Sequence, residues 1–169
     1  MSILPILRYP DPRLATIAKE VTHIDDQLQV LIDNMLATMY AANGIGLAAT
    51  QIDQHIRLVV IDVSEESNNP LVLINPRISQ LGDLRAKGKE GCLSVPDVHD
   101  EVERALSLTV EALDRNGKPF TLQAEGLLAI CIQHELDHLN GRVFVQYLSK
   151  LKQDRIVTKL RKSQNRELA

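Results

Sequence analysis

The segment His134-Glu135-Leu136-Asp137-His138 carries the most chemistry per residue in this chain. Two histidines four apart sit one turn apart on one face of a helix, so both imidazoles can reach a single metal ion. Glu135 lies beside them and can serve as the base for an activated water, which makes the segment a metal-hydrolase motif. With this chain's own His and Glu content, the pattern arises by chance on the order of one time in a hundred. The competing reading is an exposed, charged helix face. It loses weight because Leu127-Leu128-Ala129-Ile130-Cys131-Ile132 precedes the motif, and buried imidazoles and carboxylates need partners.

Two histidines do not complete a site, since a catalytic metal usually takes three protein ligands and keeps an open position. Cys131, Cys92, the remaining histidines and the acids are all candidates for the third place. Cys131, three residues before His134, makes an awkward tetrahedral partner and suits a small buried core residue. Cys92 lies in Glu90-Gly91-Cys92-Leu93-Ser94-Val95-Pro96, a short strand-like piece that could present a thiolate across a cleft. On residue type and position alone, a plain structural role for Cys92 carries about even weight.

The elements that must position these groups follow from periodicity. Apolar residues at helical spacing predict a helix from Asp25 to Asn43, capped by Asp25 or Asp26 and stopped at Asn43-Gly44. Residues 56–63 and 71–75 read as buried strands, the second stopped by Pro76. Residues 105–114 and 119–124 flank an Asn116-Gly117 turn and predict a hairpin. Gly126 to Asn140 forms the motif helix, ended by Gly141, and a last helix spans about 150–166 with Leu151, Ile156, Leu160 and Val157 as its inward stripe. The order predicts an α+β fold: mixed or antiparallel sheets around a central motif helix, with a helix at each end. Prolines 5, 10 and 12 predict an extended N-terminal segment over the surface.

The 169 residues fit one catalytic domain, 1–169. Two cysteines make no disulfide framework, no signal peptide is evident and no run of 18 apolar residues occurs, so the cytoplasm is the default compartment and no membrane span is expected. A monomer is the default oligomeric state. The net charge of −3 conceals an asymmetry: residues 149–169 hold seven basic and two acidic side chains, net +5, which leaves −8 on the rest. That suggests a polyanionic partner for the tail, against the blander reading of a solvated helix face.

Three segments in order, Gly44-Ile45-Gly46-Leu47-Ala48-Ala49-Thr50-Gln51, Glu90-Gly91-Cys92-Leu93-Ser94 and Gln133-His134-Glu135-Leu136-Asp137-His138, resemble the motifs of the peptide deformylase family. The likeness spans the whole chain and is nearest the bacterial type with a C-terminal helix. It implies removal of the N-formyl group from the initiator methionine of new polypeptides. It implies Cys92, His134 and His138 as metal ligands, and one Fe(II) per chain with Zn, Ni or Co able to substitute, whereas spacing alone suggests zinc. By the same resemblance Glu135 is the general base, while Gln51 and the backbone N–H of Leu93 stabilise the oxyanion. Ile45, Gly46, Leu127, Ile130 and Cys131 are the expected substrate pocket, with simple core the rival reading for Leu127. Gly44 and Gly46 are expected to let the Gln51 loop approach the substrate. Glu90 or Asp137 could hold an imidazole N–H, and Asp137 could instead pair with Arg104. Two positions depart from the family pattern: Gly88, where a bulkier residue is common, and His99, where a basic residue is common. The basic tail is expected to meet the ribosome. The competing functions are a metallo-endopeptidase, which uses the same helix motif, and a ribosome- or RNA-binding protein with a structural metal.

Overall fold

The computed structural model describes residues 1–168. Helix α1 (Asp26–Ala41) is followed by strands β1 (Gly46–Ala48), β2 (Leu58–Ile61), β3 (Leu71–Leu81), β4 (Arg85–Cys92), β5 (Val95–Ala105), β6 (Ser107–Leu113) and β7 (Pro119–Glu125). Helices α2 (Leu127–Leu139) and α3 (Lys150–Leu168) close the order. The five-stranded antiparallel sheet runs β1-β2-β3-β6-β7, and β4 and β5 form a separate two-stranded sheet. This is the α+β arrangement that the sequence predicts.

Strand β2 explains the layering. Its four residues are all buried because alternate side chains face opposite layers. Val59 and Ile61 point into a core with Leu73, Val110, Ile132 and Leu136, against α2. Leu58 and Val60 point into a core with Ile32, Met35, Met39 and Leu47, against α1. A third core, with Leu14, Val95, Val102, Phe144, Val145, Ile156 and Leu160, ties α3 and the turn Phe144–Tyr147 to the β4–β5 hairpin.

Helix α1 starts where expected: the Asp25 carboxylate accepts from the Leu28 N–H at 2.9 Å, a side-chain N-cap. Asn43 takes the left-handed conformation that ends it. The Asn116-Gly117 turn joins β6 and β7, with the Asp114 carboxylate accepting from Asn116 N and Lys118 N. Helix α2 runs between Gly126 and Gly141, both at positive φ. A Cβ on Gly141 would stand 2.5 Å from the Ala15 carbonyl oxygen, so glycine allows the N-terminal segment to cross there.

Three expectations need correction. Pro76 does not stop the third strand, because β3 continues to Leu81. The missing proline N–H falls at a register shift between Ile74 and Arg77, where the ladder with β6 is already interrupted. Leu151 does not face inward and is exposed, since the buried stripe of α3 consists of Ile156 and Leu160. The segment around Cys92 is no isolated strand piece but the tip of the long β4–β5 hairpin, where Cys92 pairs with Val95. Among the described residues, no helix is long and apolar enough to cross a membrane.

Candidate metal centre

Helix α2 and the β4–β5 tip meet at three side chains. The ligand atoms of Cys92, His134 and His138 all lie within 4.8 Å of one another, and no other such group occurs among the described residues. His134 and His138 are buried, with ring centroids 5.1 Å apart, and Cys92 Sγ lies 3.2 Å from His138 Nε2. A thiolate and two imidazoles suit Fe, Zn, Co or Ni, and three protein donors leave a coordination position open. Two buried atoms beside the cluster have no hydrogen-bond partner: Glu135 Oε2 and His138 Nδ1. An orphaned carboxylate oxygen next to a three-donor cluster fits a group that a metal-associated water would satisfy.

The electrostatics differ between the two histidines. Burial holds His138 well below the usual imidazole range, in the neutral form that a ligand requires. Burial also works against charge on His134, but hydrogen bonds to Cys92 and Glu90 outweigh it and raise its pKa. Glu90 Oε1 lies 2.9 Å from His134 Nδ1, so Glu90, not Asp137, holds an imidazole nitrogen. Arg104 grips Glu90 through Nε at 2.8 Å and Nη2 at 2.9 Å, and its Nη1 reaches Asp137 at 2.6 Å. Asp137 therefore takes the ion-pair role. Burial pushes the Glu135 carboxyl up to about 7, and Glu135 Oε1 stands 3.8 Å from His134 Nε2. Burial also raises the Cys131 thiol well above its ordinary range, with Glu135 and Glu90 adding to the effect. Cys131 thus stays a neutral thiol, near Ile45 O at 3.9 Å, and outside the three-donor cluster.

A cleft of about 580 Å³ opens over this centre, with Cys92, Leu93, His134 and Glu135 in its wall. Ile45, Gly46, Leu127, Ile130 and Cys131 all line it, Cys131 buried and Ile45 and Leu127 exposed at the rim. Gln51 and His138 are fully buried behind the wall. Gln51 Oε1 accepts from Ala48 N at 2.9 Å, while Nε2 donates to Ser94 Oγ at 3.0 Å and faces Cys92 Sγ at 3.5 Å. Ser94, Arg104 and Tyr147 are supporting residues that the sequence did not single out for the site. Only the Glu-Gly-Cys-Leu-Ser run pointed near Ser94, and Arg104 entered only as a possible partner of Asp137.

Gly44 and Gly46 stand in tight packing. A Cβ on Gly44 would meet Leu93 Cδ1 at 2.7 Å, and one on Gly46 would meet Cys131 Sγ at 2.9 Å and Glu135 Oε1 at 3.0 Å. They let the cleft's own walls close up against Leu93, Cys131 and Glu135. Gly88 faces open space, and the His99 ring covers Gly91, whose Cβ would lie 2.7 Å from it.

Comparison with known proteins gives the family. Residues 3–154 match the family described as polypeptide deformylase. The chain is 58% identical over 162 residues, 96% of each chain, to the peptide deformylase of Azotobacter vinelandii. The crystal structure of a peptide deformylase from Legionella pneumophila superposes with a TM-score of 0.94 at 48% identity, covering 99% of this chain and 98% of that one. That of the Ehrlichia chaffeensis peptide deformylase in complex with actinonin gives 0.93 at 43% identity, covering 96% and 98%.

Proposed function

The chain belongs to the polypeptide deformylase family, metal-dependent hydrolases that remove the N-formyl group from nascent peptides, and from that premise we propose how its residues divide the work. The endopeptidase and structural-metal readings fall away with the family.

Cys92, His134 and His138 would hold the metal, and the observation that carries this is their convergence around one point beside the partnerless Glu135 Oε2. When bound, a divalent metal supplies Lewis acidity, an acidified water and a positive charge that favours ionised Glu135. Glu135 Oε2 accepts the proton of the attacking water and returns it to the amine as the formyl C–N bond breaks. The oxyanion on the former formyl oxygen draws on two donors. Gln51 has two amide hydrogens, and Ser94 takes one; the other points toward the Cys92 sulfur at 3.5 Å, a weak contact that leaves it to an oxyanion formed beside that sulfur. The Leu93 N–H follows Cys92 at the hairpin tip. Cys131, Ile130 and Gly46, with Ile45 and Leu127 at the rim, suit an apolar methionine side chain followed by peptide.

Iron is the proposed resident metal, one per chain, with Zn, Ni and Co as substitutes. The chain works as a monomeric domain over 1–169 in the cytoplasm, where its substrate is made. It reaches the ribosome through α3. Lys152 and Lys159 turn toward β5, at Asp100 and the Asp97 carbonyl, while Arg155, Lys162 and Arg166 remain exposed for RNA phosphates.

The test is anaerobic loading with Fe(II) and assay of formate release from formyl-Met-Ala-Ser, with Cys92→Ala and Cys131→Ala in parallel. Formate release, and metal loss only with Cys92→Ala, are expected. A fully loaded wild type that releases no formate, or metal loss only with Cys131→Ala, overturns the reading.

A further inference from the structure

Behind His134 runs a chain of buried charges that reaches the surface at Tyr147. Glu90 and Arg104 are 7% and 5% exposed, and both imposed a desolvation cost that only good geometry offsets. Arg104 is forked: Nε and Nη2 hold Glu90, and Nη1 holds Asp137 Oδ2. Tyr147 closes the outer end twice. Its hydroxyl donates to the same Asp137 Oδ2 at 2.9 Å, and its ring lies under the guanidinium, 5.1 Å from Cζ to centroid. The backbone that carries Tyr147 is anchored by Phe144 and Val145, both fully buried, so its position is imposed by the core.

We propose that Tyr147 is a positioning residue for the metal centre: through Asp137 and its ring face it fixes the Arg104 fork that keeps Glu90 on His134 Nδ1. This rests on Cys92, His134 and His138 being the ligands. Without Tyr147, Asp137 loses one of its two partners and the guanidinium loses its outer cover. Glu90 can then rotate off His134, and the imidazole loses the contact that sets its tautomer and orientation. Tyr147 stands three residues before α3 begins, so the same residue links the foot of that helix to the ligand.

The test uses full-length Co(II)-loaded protein, reading the thiolate-to-cobalt absorption band and the chelator concentration that removes half the metal. Tyr147→Leu is expected to perturb the band and to release metal about tenfold more readily. Tyr147→Phe, which keeps the ring and loses the hydroxyl, is expected between Leu and wild type, with far-UV circular dichroism unchanged. A folded Tyr147→Leu with the wild-type band and midpoint overturns the proposal. If the Leu variant does not fold, the Phe variant decides: a lowered midpoint supports the role and a wild-type midpoint refutes it. A wild type with no thiolate band overturns the ligand assignment and this inference with it.

Discussion

Gly46→Ala isolates the packing that brings β1 against the catalytic helix. The new methyl would lie 2.9 Å from Cys131 Sγ, 3.0 Å from Glu135 Oε1 and 3.1 Å from Glu135 Cδ. Favourable contact is about 3.5–4.0 Å, so β1, Cys131 or Glu135 must yield by roughly 0.5–1 Å. Gly46 is not at positive φ, so the strain is steric and not conformational. Overpacking of this kind costs about 1–3 kcal/mol, and reduced chain entropy in the unfolded state returns about 0.4–1 kcal/mol. A net loss of up to about 2.5 kcal/mol is expected in urea unfolding. Activity should suffer more, because a displacement near 1 Å at a proton-transferring group can cost on the order of 10²-fold. Formate release should therefore show a large fall in kcat. Adding Cys131→Ala removes the nearest clashing atom and should recover part of both losses, giving a favourable coupling energy in the double-mutant cycle. Gly46→Ala with wild-type kcat and unfolding midpoint would refute the claim that this contact positions Glu135.

Three further outcomes concern groups away from the ligands. Burial alone would raise the Asp62 carboxyl, but hydrogen bonds from Ser64, Tyr40 and Asn69 outweigh it and hold it below the ordinary range. Its stabilisation is present above the unfolded value of about 3.9 and is lost as pH falls through the lower folded value, so Asp62→Asn should flatten the acid limb of stability below about pH 4. An unchanged limb refutes that role. Burial and the Asp62 contact push Tyr40 up to about 12, so its contribution is lost as pH rises from about 10, and Tyr40→Phe should flatten the alkaline limb. For α3, reversing Arg155 and Lys162 to Glu should weaken ribosome co-sedimentation and reduce its salt dependence, with formyl-peptide turnover unchanged. Undiminished association would remove the docking face.

The helix that carries the paired histidines was legible because its apolar run, the histidines and its glycine borders occupy the sixteen consecutive residues Gly126 to Gly141. Strand β2 of the sheet between α1 and α2 was legible for the same local reason: it is short, apolar and β-branched. The β4–β5 hairpin was not. Strand β4 opens on Arg85, Ala86 and Lys87, all exposed, and its one buried residue is the charged Glu90, so the strand alternation carries no hydrophobic contrast. The network behind His134 joins Glu90, Arg104, Asp137 and Tyr147, and no local rule links residues that far apart. Sequence could offer Glu90 and Asp137 as equal candidates for the imidazole; only tertiary geometry gives one the histidine and the other the arginine. Leu151 misled because its type fits an inward stripe that α3 begins only at Ile156.

In the proposed reaction Cys92, His134 and His138 hold the metal while Glu135 moves the proton. Glu135→Gln separates these two roles, because the amide keeps the shape and cannot accept the proton. Metal content and formate release should be measured on the same preparation. Full metal occupancy with kcat lowered by about 10²–10⁴-fold is expected. Full occupancy with near wild-type turnover would contradict the role of Glu135.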